Sequence, residues 1–176
     1  MILVQGAQPE PRTRFSDATL AQLSGSQRFD LCEKPVPCYL GRAADSSVVN
    51  TVSLATITVA RDIRGYAGPL NLLVAVDSGG ILRGVRYLES DETPSYIAAI
   101  DTWLAGLSGH DFHHSPLALD GVDALSGATL SSRAALASIN RAVEIGSRAG
   151  LGDIPIGAGE AAEQKSAWMA PQFVIT

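Results

Sequence analysis

The sequence lacks any apolar run long enough to cross a bilayer. Hydrophobic residues make up 46% of the chain, but Gly, Asp, Arg or Ser interrupts each run well before the roughly 20 residues that a spanning helix needs. The first residues, MILVQGAQPEPRTR, have neither a basic region nor a full apolar core, so they are not predicted to be a signal peptide. We expect a soluble, folded chain that resembles an initiator methionine joined to a mature or excised domain.

Basic residues are also scarce. The chain has 13 Lys and Arg against 18 Asp and Glu, a formal net charge of -5, and its basic residues are scattered. Proteins that bind nucleic acid or an anionic membrane surface usually concentrate positive charge on one face. The sequence therefore predicts no nucleic-acid partner.

The candidate metal ligands are few and poorly spaced. The two cysteines, Cys32 and Cys38, lie in CEKPVPCY without a second pair or a nearby histidine, which disfavours zinc. Their spacing allows a disulfide in an oxidising compartment and two thiols in the cytosol, and both interpretations stay open. His110, His113 and His114 follow one another in a polar loop, and we interpret them as solvated residues rather than metal ligands.

The strand signals lie in the first half of the chain. Residues 48–60, VVNTVSLATITVA, are rich in β-branched residues and predict a strand that bends near its middle. The segments LNLLVAVD and ILRGVRYLE, joined by SGG, predict an antiparallel hairpin, because Gly79 and Gly80 can adopt the positive φ angles of a tight turn.

Three helices are predicted around these strands. Ser16 or Asp17 is expected to cap a short helix that ends at Gly25. A second is expected to begin with Thr93 as cap and Pro94 at its first position and to end before Gly109, with apolar residues at helical spacing: Ile97, Ile100, Trp103, Leu104 and Leu107. The third carries a stripe of Leu136, Ile139 and Val143 and ends near Gly150.

Strands followed by helices, without βαβ alternation, predict an α+β fold in which helices pack against an antiparallel sheet. We divide the chain into an N-terminal extension that packs on the main domain (1–47), the domain itself (48–150) and a linker with a C-terminal tail (151–176). The last stretch, AWMAPQFVIT, is expected to form either a C-terminal tail or an edge strand.

The third helix begins in an unusual run, DALSGATLSS. The first amides of a helix have no intrahelical acceptor and carry part of the helix dipole, so they attract anionic groups such as phosphate. Small residues keep this end of a helix open. Simple capping by Asp123 or Ser126 explains the same residues, and the chemistry alone favours capping.

The run from Asp123 to Thr129 resembles the flavin-transfer motif Asp-x-x-Ser/Thr-Gly-Ala-Thr of FMN-binding domains. These domains occur in the C subunit of the sodium-translocating NADH:quinone reductase, in the G subunit of the Rnf complex and in NosR-like membrane proteins. The resemblance implies that Thr129 carries FMN through a phosphoester bond that a flavin transferase forms. It also implies that Ser126, Gly127 and Ala128 line the phosphate, that Asp123 belongs to the recognition motif and that Leu130 lies at the site.

The resemblance extends over about residues 48–150. GYAGPL is similar to the family's Gly-Tyr-x-Gly-Pro segment, which implies that Gly65 and Tyr66 lie at the flavin, although Tyr66 packed over a turn is the alternative. Glu92, Thr93 and Pro94 match its Glu-Thr-Pro element. In relatives a glycine usually follows, whereas Ser95 and Tyr96 follow here, a departure that suits the NosR-like branch and leaves the placement of Glu92, Thr93 and Pro94 against the flavin open.

The function implied is an electron carrier rather than a stand-alone enzyme, with FMN as cofactor and with a flavin transferase and membrane redox proteins as partners. The resemblance places such a domain on the periplasmic or extracellular face of a membrane-anchored parent protein. A flavin-dependent sensory or regulatory module is the alternative, and a purely structural domain with a well-capped helix is a third.

Overall fold

The computed structural model describes residues 14–120, 122–125, 128–154 and 156–157. Its helices and strands, in chain order, are α1 (Asp17–Ser24), β1 (Arg28–Cys32), β2 (Cys38–Arg42), β3 (Thr51–Ala55), β4 (Asn71–Asp77), β5 (Leu82–Glu89), α2 (Ile100–Ala105) and α3 (Thr129–Gly146). Short 3₁₀ turns cover Thr56–Thr58, Pro94–Tyr96 and Ser147–Ala149.

The five described strands form one antiparallel sheet in the order β1-β2-β3-β4-β5. Helix α3 packs on β3 and β4, and α1 packs on strands that include β4 and β5. The predicted α+β architecture is confirmed. Strands β1 and β2 come from the segment that the sequence analysis assigned to the extension (1–47), so the sheet continues across residue 47.

The main core lies between the sheet and α3. Because side chains alternate along a strand, every second residue of β3 and β4 points to α3 and is buried there. The predicted apolar stripe of α3 meets them, and this part of the helix prediction is confirmed. The fully or almost fully buried side chains of this interface include Val52, Leu54, Leu72, Val74, Leu136, Ile139 and Val143.

Helix α1 has both of its predicted ends. The Ser16 hydroxyl accepts a hydrogen bond from the Thr19 amide at 3.1 Å, which caps the first turn. Gly25 terminates the helix at φ 85°, a conformation that a side chain would strain.

The predicted hairpin is present as β4 and β5, with Val74 opposite Val85. Its turn differs in one detail: Gly80 adopts a positive φ of 79°, whereas Gly79 does not. The side chain of Asp77 also stabilises the turn. Its Oδ1 accepts hydrogen bonds from the amides of Gly79 at 2.9 Å and Ile81 at 3.0 Å.

The strand predicted over 48–60 is shorter than expected, since β3 ends at Ala55 and a 3₁₀ turn follows. The Thr56 side chain explains the break. Its hydroxyl donates to the carbonyl of Leu70 at 3.1 Å and accepts from the amide of Leu72 at 2.9 Å. The Thr56 side chain thus forms the hydrogen bonds to the backbone at the start of β4 that the main chain of a longer β3 would have formed.

The helix predicted from Pro94 to Gly109 is also shorter. Pro94 begins a 3₁₀ turn that Thr93 does not cap with its side chain, and the α-helix covers only Ile100–Ala105. The amides of Ile97 and Ile100 bond three residues back, the 3₁₀ pattern, rather than four. The expected apolar face is nevertheless largely in place, because Ile100, Leu104 and Leu107 are buried.

Cys32 and Cys38 are directly opposite each other at the end of the β1–β2 hairpin and are joined by a disulfide, with their Cα atoms 5.1 Å apart. This Cα separation lies in the usual range for such bonds. The disulfide closes the loop between the two strands.

The expected C-terminal tail or edge strand falls outside the described residues. Among the helices that the structure does describe, none combines the length and the apolar character that a bilayer crossing requires.

Candidate functional site

The site is built at the start of α3, where Thr129 is the first helical residue and is exposed. Ala128 occupies the position before it, is buried and has φ −135° and ψ 50°. No side chain in the described part of the chain caps this helix, so capping by Asp123 is wrong. Ser126 and Gly127 lie outside the described residues.

Asp123 is held by its backbone, not by its carboxylate. The indole Nε1 of Trp103 on α2 donates to the Asp123 carbonyl at 2.6 Å, while Asp123 itself is exposed. Trp103, which the sequence predicts on an apolar helix face, is partly buried against the core. The backbone at Asp123 is therefore hydrogen-bonded to α2, which comes earlier in the chain.

Ser132 fixes the same segment from the other side. Its hydroxyl donates to the Ala128 carbonyl at 2.7 Å and accepts from the Leu125 amide at 2.9 Å. The Ala128 amide in turn donates to the Leu125 carbonyl at 3.0 Å. These bonds hold Ala128 against the first turn of α3, so the position of Thr129 is set by its buried neighbours.

Glu92 connects this turn to the loop that contains Tyr66 and Ala67. The Glu92 side chain is buried, and the Ser131 hydroxyl donates to its Oε1. The same oxygen accepts from the Tyr66 amide at 3.2 Å, and Oε2 accepts from the Ala67 amide at 2.5 Å. The structure thus brings the predicted residues Glu92 and Tyr66 together at α3.

Gly65 lies against the same group, and a side chain has no room there. A Cβ atom at Gly65 would be 2.9 Å from Leu70 Cδ1, 3.1 Å from Ser131 Oγ and 3.2 Å from Glu92 Oε1. The Gly65 amide donates to the Gly68 carbonyl at 2.7 Å, which closes the loop. Glycine is favoured here by close approach rather than by φ, because an added Cβ must displace one of these side chains.

Two large apolar side chains are exposed at this position. Tyr66 follows Gly65 and is 71% exposed, and Leu130 precedes Ser131 and is 56% exposed. Gly65 and Ser131 are in near contact, so the loop of Tyr66 and the first turn of α3 are neighbours. Thr93 and Pro94 are exposed as well, beside the buried Glu92.

Ser131 and Ser132 were not predicted as site residues. Both are buried in the first turn of a helix whose other buried positions are mostly apolar. The sequence signal that could have found them is the pair of hydroxyls that closely follows Thr129, on the helix face that also carries the apolar stripe.

The histidines of the loop after α2 have separate environments. The His110 ring packs edge-on against Phe112 at a centroid distance of 4.9 Å, and its Nε2 lies 2.7 Å from the Ser115 carbonyl oxygen. His113 lies beside Gly80 in the hairpin turn. Across the described residues, no three His, Cys, Asp or Glu side chains are grouped as metal ligands.

A groove of about 430 Å³ lies beside the β1–β2 hairpin, and none of its lining residues belongs to the start of α3. Its lining includes Phe15, Leu31, Tyr39, Ile57 and Leu88 and contains none of the residues predicted to hold a flavin. The groove and the Thr129 surface are thus separate features.

Residues 65–144 match the profile of a family described as the FMN-binding domain. These residues belong to the FMN-binding domain family. The matched range begins at Gly65 and includes Glu92 and the whole first turn of α3, so the FMN-binding domain contains the hydrogen-bonded group described above. The match supports FMN as the ligand.

The FMN-binding domain also resembles components of redox complexes. The G subunit of the ion-translocating oxidoreductase complex of Shewanella loihica is 32% identical over 120 residues, which are 62% of this chain and 54% of the relative. The protein of the same name from Stutzerimonas stutzeri is 29% identical over 124 residues, 64% and 51% of the two chains. The chain spans about half the length of the curated relatives it matches.

A further relative carries a more specific name. The G subunit of the Na(+)-translocating ferredoxin:NAD(+) oxidoreductase complex of Acetobacterium woodii is 24% identical over 125 residues, covering 64% of this chain and 58% of the relative. These relatives are G subunits, one of the three types that the motif resembles; the other two are the C subunit of the sodium-translocating NADH:quinone reductase and NosR-like proteins.

The residues present fit a flavin nucleotide. The start of α3 has no side-chain cap in the described part of the chain, and its first amides attract a phosphate. Exposed Thr129 offers a hydroxyl at the same place, and exposed Tyr66 and Leu130 offer apolar surface for a planar ring system.

Proposed function

We propose that this domain carries FMN covalently on Thr129 and acts as an electron carrier of a membrane redox protein. The observation that carries the proposal is the exposed Thr129 at the start of α3, which no side chain of the described residues caps, inside a matched FMN-binding domain. Hydrogen bonds from Trp103 and Ser132 hold the backbone at Asp123 and Ala128, and Thr129 is exposed, so another enzyme can reach it.

Each predicted residue then has a role. Thr129 Oγ forms the bond to the FMN phosphate, and Ser126, Gly127 and Ala128 line that phosphate. Asp123 takes part in recognition by the transferase. Tyr66 and Leu130 contact the ring system, with Gly65, Glu92, Thr93 and Pro94 forming or supporting that side of the site.

The attachment needs a separate flavin transferase. A threonine hydroxyl is a weak nucleophile, and none of the hydrogen bonds seen in the described residues gives Thr129 a general base. In the reaction, Thr129 Oγ forms a bond to the FMN phosphorus of a flavin dinucleotide. The pyrophosphate P–O bond breaks, the adenosine monophosphate leaves, and a base of the transferase takes the hydroxyl proton.

FMN, when bound, supplies one-electron and two-electron redox chemistry, and the protein supplies position and environment. The named relatives are subunits of ion-translocating oxidoreductase complexes. We infer that this domain likewise passes electrons between redox partners of a membrane-anchored parent. The proposed location is the periplasmic or extracellular face, where the Cys32–Cys38 disulfide is stable and where a tether retains a cofactor that would otherwise be lost.

The test is co-expression with a flavin transferase, followed by in-gel flavin fluorescence under denaturing conditions. Thr129→Val removes the hydroxyl with little change in shape and is expected to abolish the fluorescent band. Thr102→Val, at an exposed threonine on α2, is the matched control and is expected to keep it. A band that persists in Thr129→Val overturns the attachment site.

A further inference from the structure

We propose that Glu92 is a positioning residue that fixes the loop containing Tyr66 to the helix turn containing Thr129. In this role its carboxylate binds the protein and acts on the flavin only through these two segments. The inference rests on the proposed function, because it concerns the geometry around the attachment site.

The contacts of Glu92 support this role. Its side chain is buried, and both of its oxygens accept hydrogen bonds from the protein: two backbone amides of the loop and the Ser131 hydroxyl of α3. None of the ion pairs found in the described part of the chain includes Glu92. A buried carboxylate without a cation depends on its hydrogen-bond donors, so these three donors and Glu92 stabilise one another.

Glu92 is buried although the residues on either side of it in the chain are not. Asp91 and Thr93 are both exposed, whereas Glu92 is only 4% exposed. The position therefore places one carboxylate inside the protein from a segment that otherwise lies at the surface.

The two joined segments have little freedom of their own. The loop is closed by the bond from the Gly65 amide to the Gly68 carbonyl, and Gly65 is packed closely on Leu70, Ser131 and Glu92. On the other side, Ser132 holds the start of α3. Within the described residues, Glu92 joins these two parts by hydrogen bonds and, together with the packing of Gly65 on Ser131, sets where Tyr66 lies relative to Thr129.

The experiment compares wild type with Glu92→Gln, which keeps the size of the side chain but places an NH₂ group against a loop amide. Asp91→Asn is the matched control, because it removes the same charge from the adjacent, exposed residue. The first readout uses the protein before flavin attachment. A hydrogen bond to a charged acceptor is stronger than one to a neutral amide, so amide hydrogen exchange at Tyr66 and Ala67 is expected to become at least about tenfold faster in Glu92→Gln.

The second readout is the visible circular dichroism of the attached flavin, which reports how firmly the ring system is held. It is expected to fall by most of its amplitude in Glu92→Gln and to stay at the wild-type value in Asp91→Asn. If Glu92→Gln does not fold, Ser131→Ala replaces it, since that variant removes only the bond to α3. Ser131→Thr, which keeps the hydroxyl, is expected to restore the signal.

Unchanged amide exchange and unchanged circular dichroism in Glu92→Gln overturn the positioning role. A wild-type protein that accepts no flavin contradicts the proposed function instead. The amide exchange experiment still decides whether Glu92 holds the loop in that case, so the two failures are distinguishable.

Discussion

The Ser131 hydroxyl donates to the buried carboxylate of Glu92, although 39 residues separate them in the chain. Glu92 also accepts from the amides of Tyr66 and Ala67, so one side chain connects three distant segments. The proposed flavin surface is therefore assembled by tertiary contacts, although the attachment motif itself is a short local sequence.

Gly65→Ala tests how tightly these segments pack. The added methyl group must displace the buried Leu70 side chain, Ser131 or Glu92, all of which lie 2.9–3.2 Å from its position. We expect the free energy of unfolding to fall by about 1–3 kcal/mol, the usual cost of overpacking. Chemical denaturation measures it, with Gly79→Ala as control because its nearest atom is 3.4 Å away. Equal stability of the two variants contradicts the close packing.

Two buried serines of α3 form a second pair of variants. Ser132→Ala leaves the Leu125 amide without its acceptor and is expected to destabilise the fold by about 1–3 kcal/mol. Ser138 Oγ is buried and has no hydrogen-bond partner among the described residues, so Ser138→Ala is expected to be neutral or stabilising. Thermal or chemical unfolding compares them. A larger loss in Ser138→Ala than in Ser132→Ala would show that the hydrogen bonds are wrongly assigned.

Reduction of the Cys32–Cys38 disulfide is expected to destabilise the domain. The two cysteines are only 6 positions apart. Closing so short a loop lowers the conformational entropy of the unfolded chain, which adds about 2 kcal/mol to the free energy of unfolding. The measurement is chemical unfolding with and without reductant. The double variant Cys32→Ser, Cys38→Ser is the control, and it must not respond to reductant. An equal response in wild type and in the double variant contradicts a disulfide contribution.

The exposed carboxyl of Asp62 makes the stability of the domain depend on pH, because it is hydrogen-bonded to Arg141. A hydrogen bond from the Arg141 guanidinium, 2.5 Å from Asp62 Oδ1, holds the pKa of Asp62 below its ordinary value of 3.8. The contribution of this pair to stability is therefore present above pH 3.8 and is lost as the pH falls through the lower, folded-state pKa. Because Asp62 is exposed, solvent screening keeps the contribution of this ion pair to the free energy of unfolding small.

Titration of the Asp62 carboxyl by NMR measures this effect. In Arg141→Gln the pKa is expected to rise toward 3.8. An Asp62 pKa that is the same with and without Arg141 rules out the guanidinium as the cause.

The elements that the sequence predicted correctly depend on local signals. Helix α1 has a cap at Ser16 and a terminating Gly25, and the β4–β5 hairpin has alternating apolar residues with a glycine turn. Helix α3 has an apolar stripe at helical spacing. Each of these signals is contained in a short stretch of chain.

The elements that were mispredicted failed for different reasons. β3 ends early because the Thr56 hydroxyl bonds to the backbone at Leu70 and Leu72, which no local pattern reveals. The helix after Pro94 is short because a 3₁₀ turn takes its first residues. Strands β1 and β2 were missed altogether, since the polar–apolar alternation of β1 covers only Arg28 to Leu31 and β2, CYLGR, has no such alternation.

The candidate site divides in the same way. The motif around Thr129 was predicted from its resemblance to a family, and residues 65–144 match that family. The roles of Ser131 and Ser132 were not predicted, because they depend on Glu92, Leu125 and Ala128 lying against the helix. A sequence motif can identify an attachment point, but the supporting contacts come from the fold.

The most direct test of covalent attachment is the intact mass of the protein with and without co-expressed flavin transferase, followed by peptide mapping. We predict that the transferase adds one FMN less one water per chain and that the modified peptide carries it on Thr129. An unchanged mass in the presence of a transferase that modifies a known substrate in the same cells, or a flavin on another residue, would contradict the attachment.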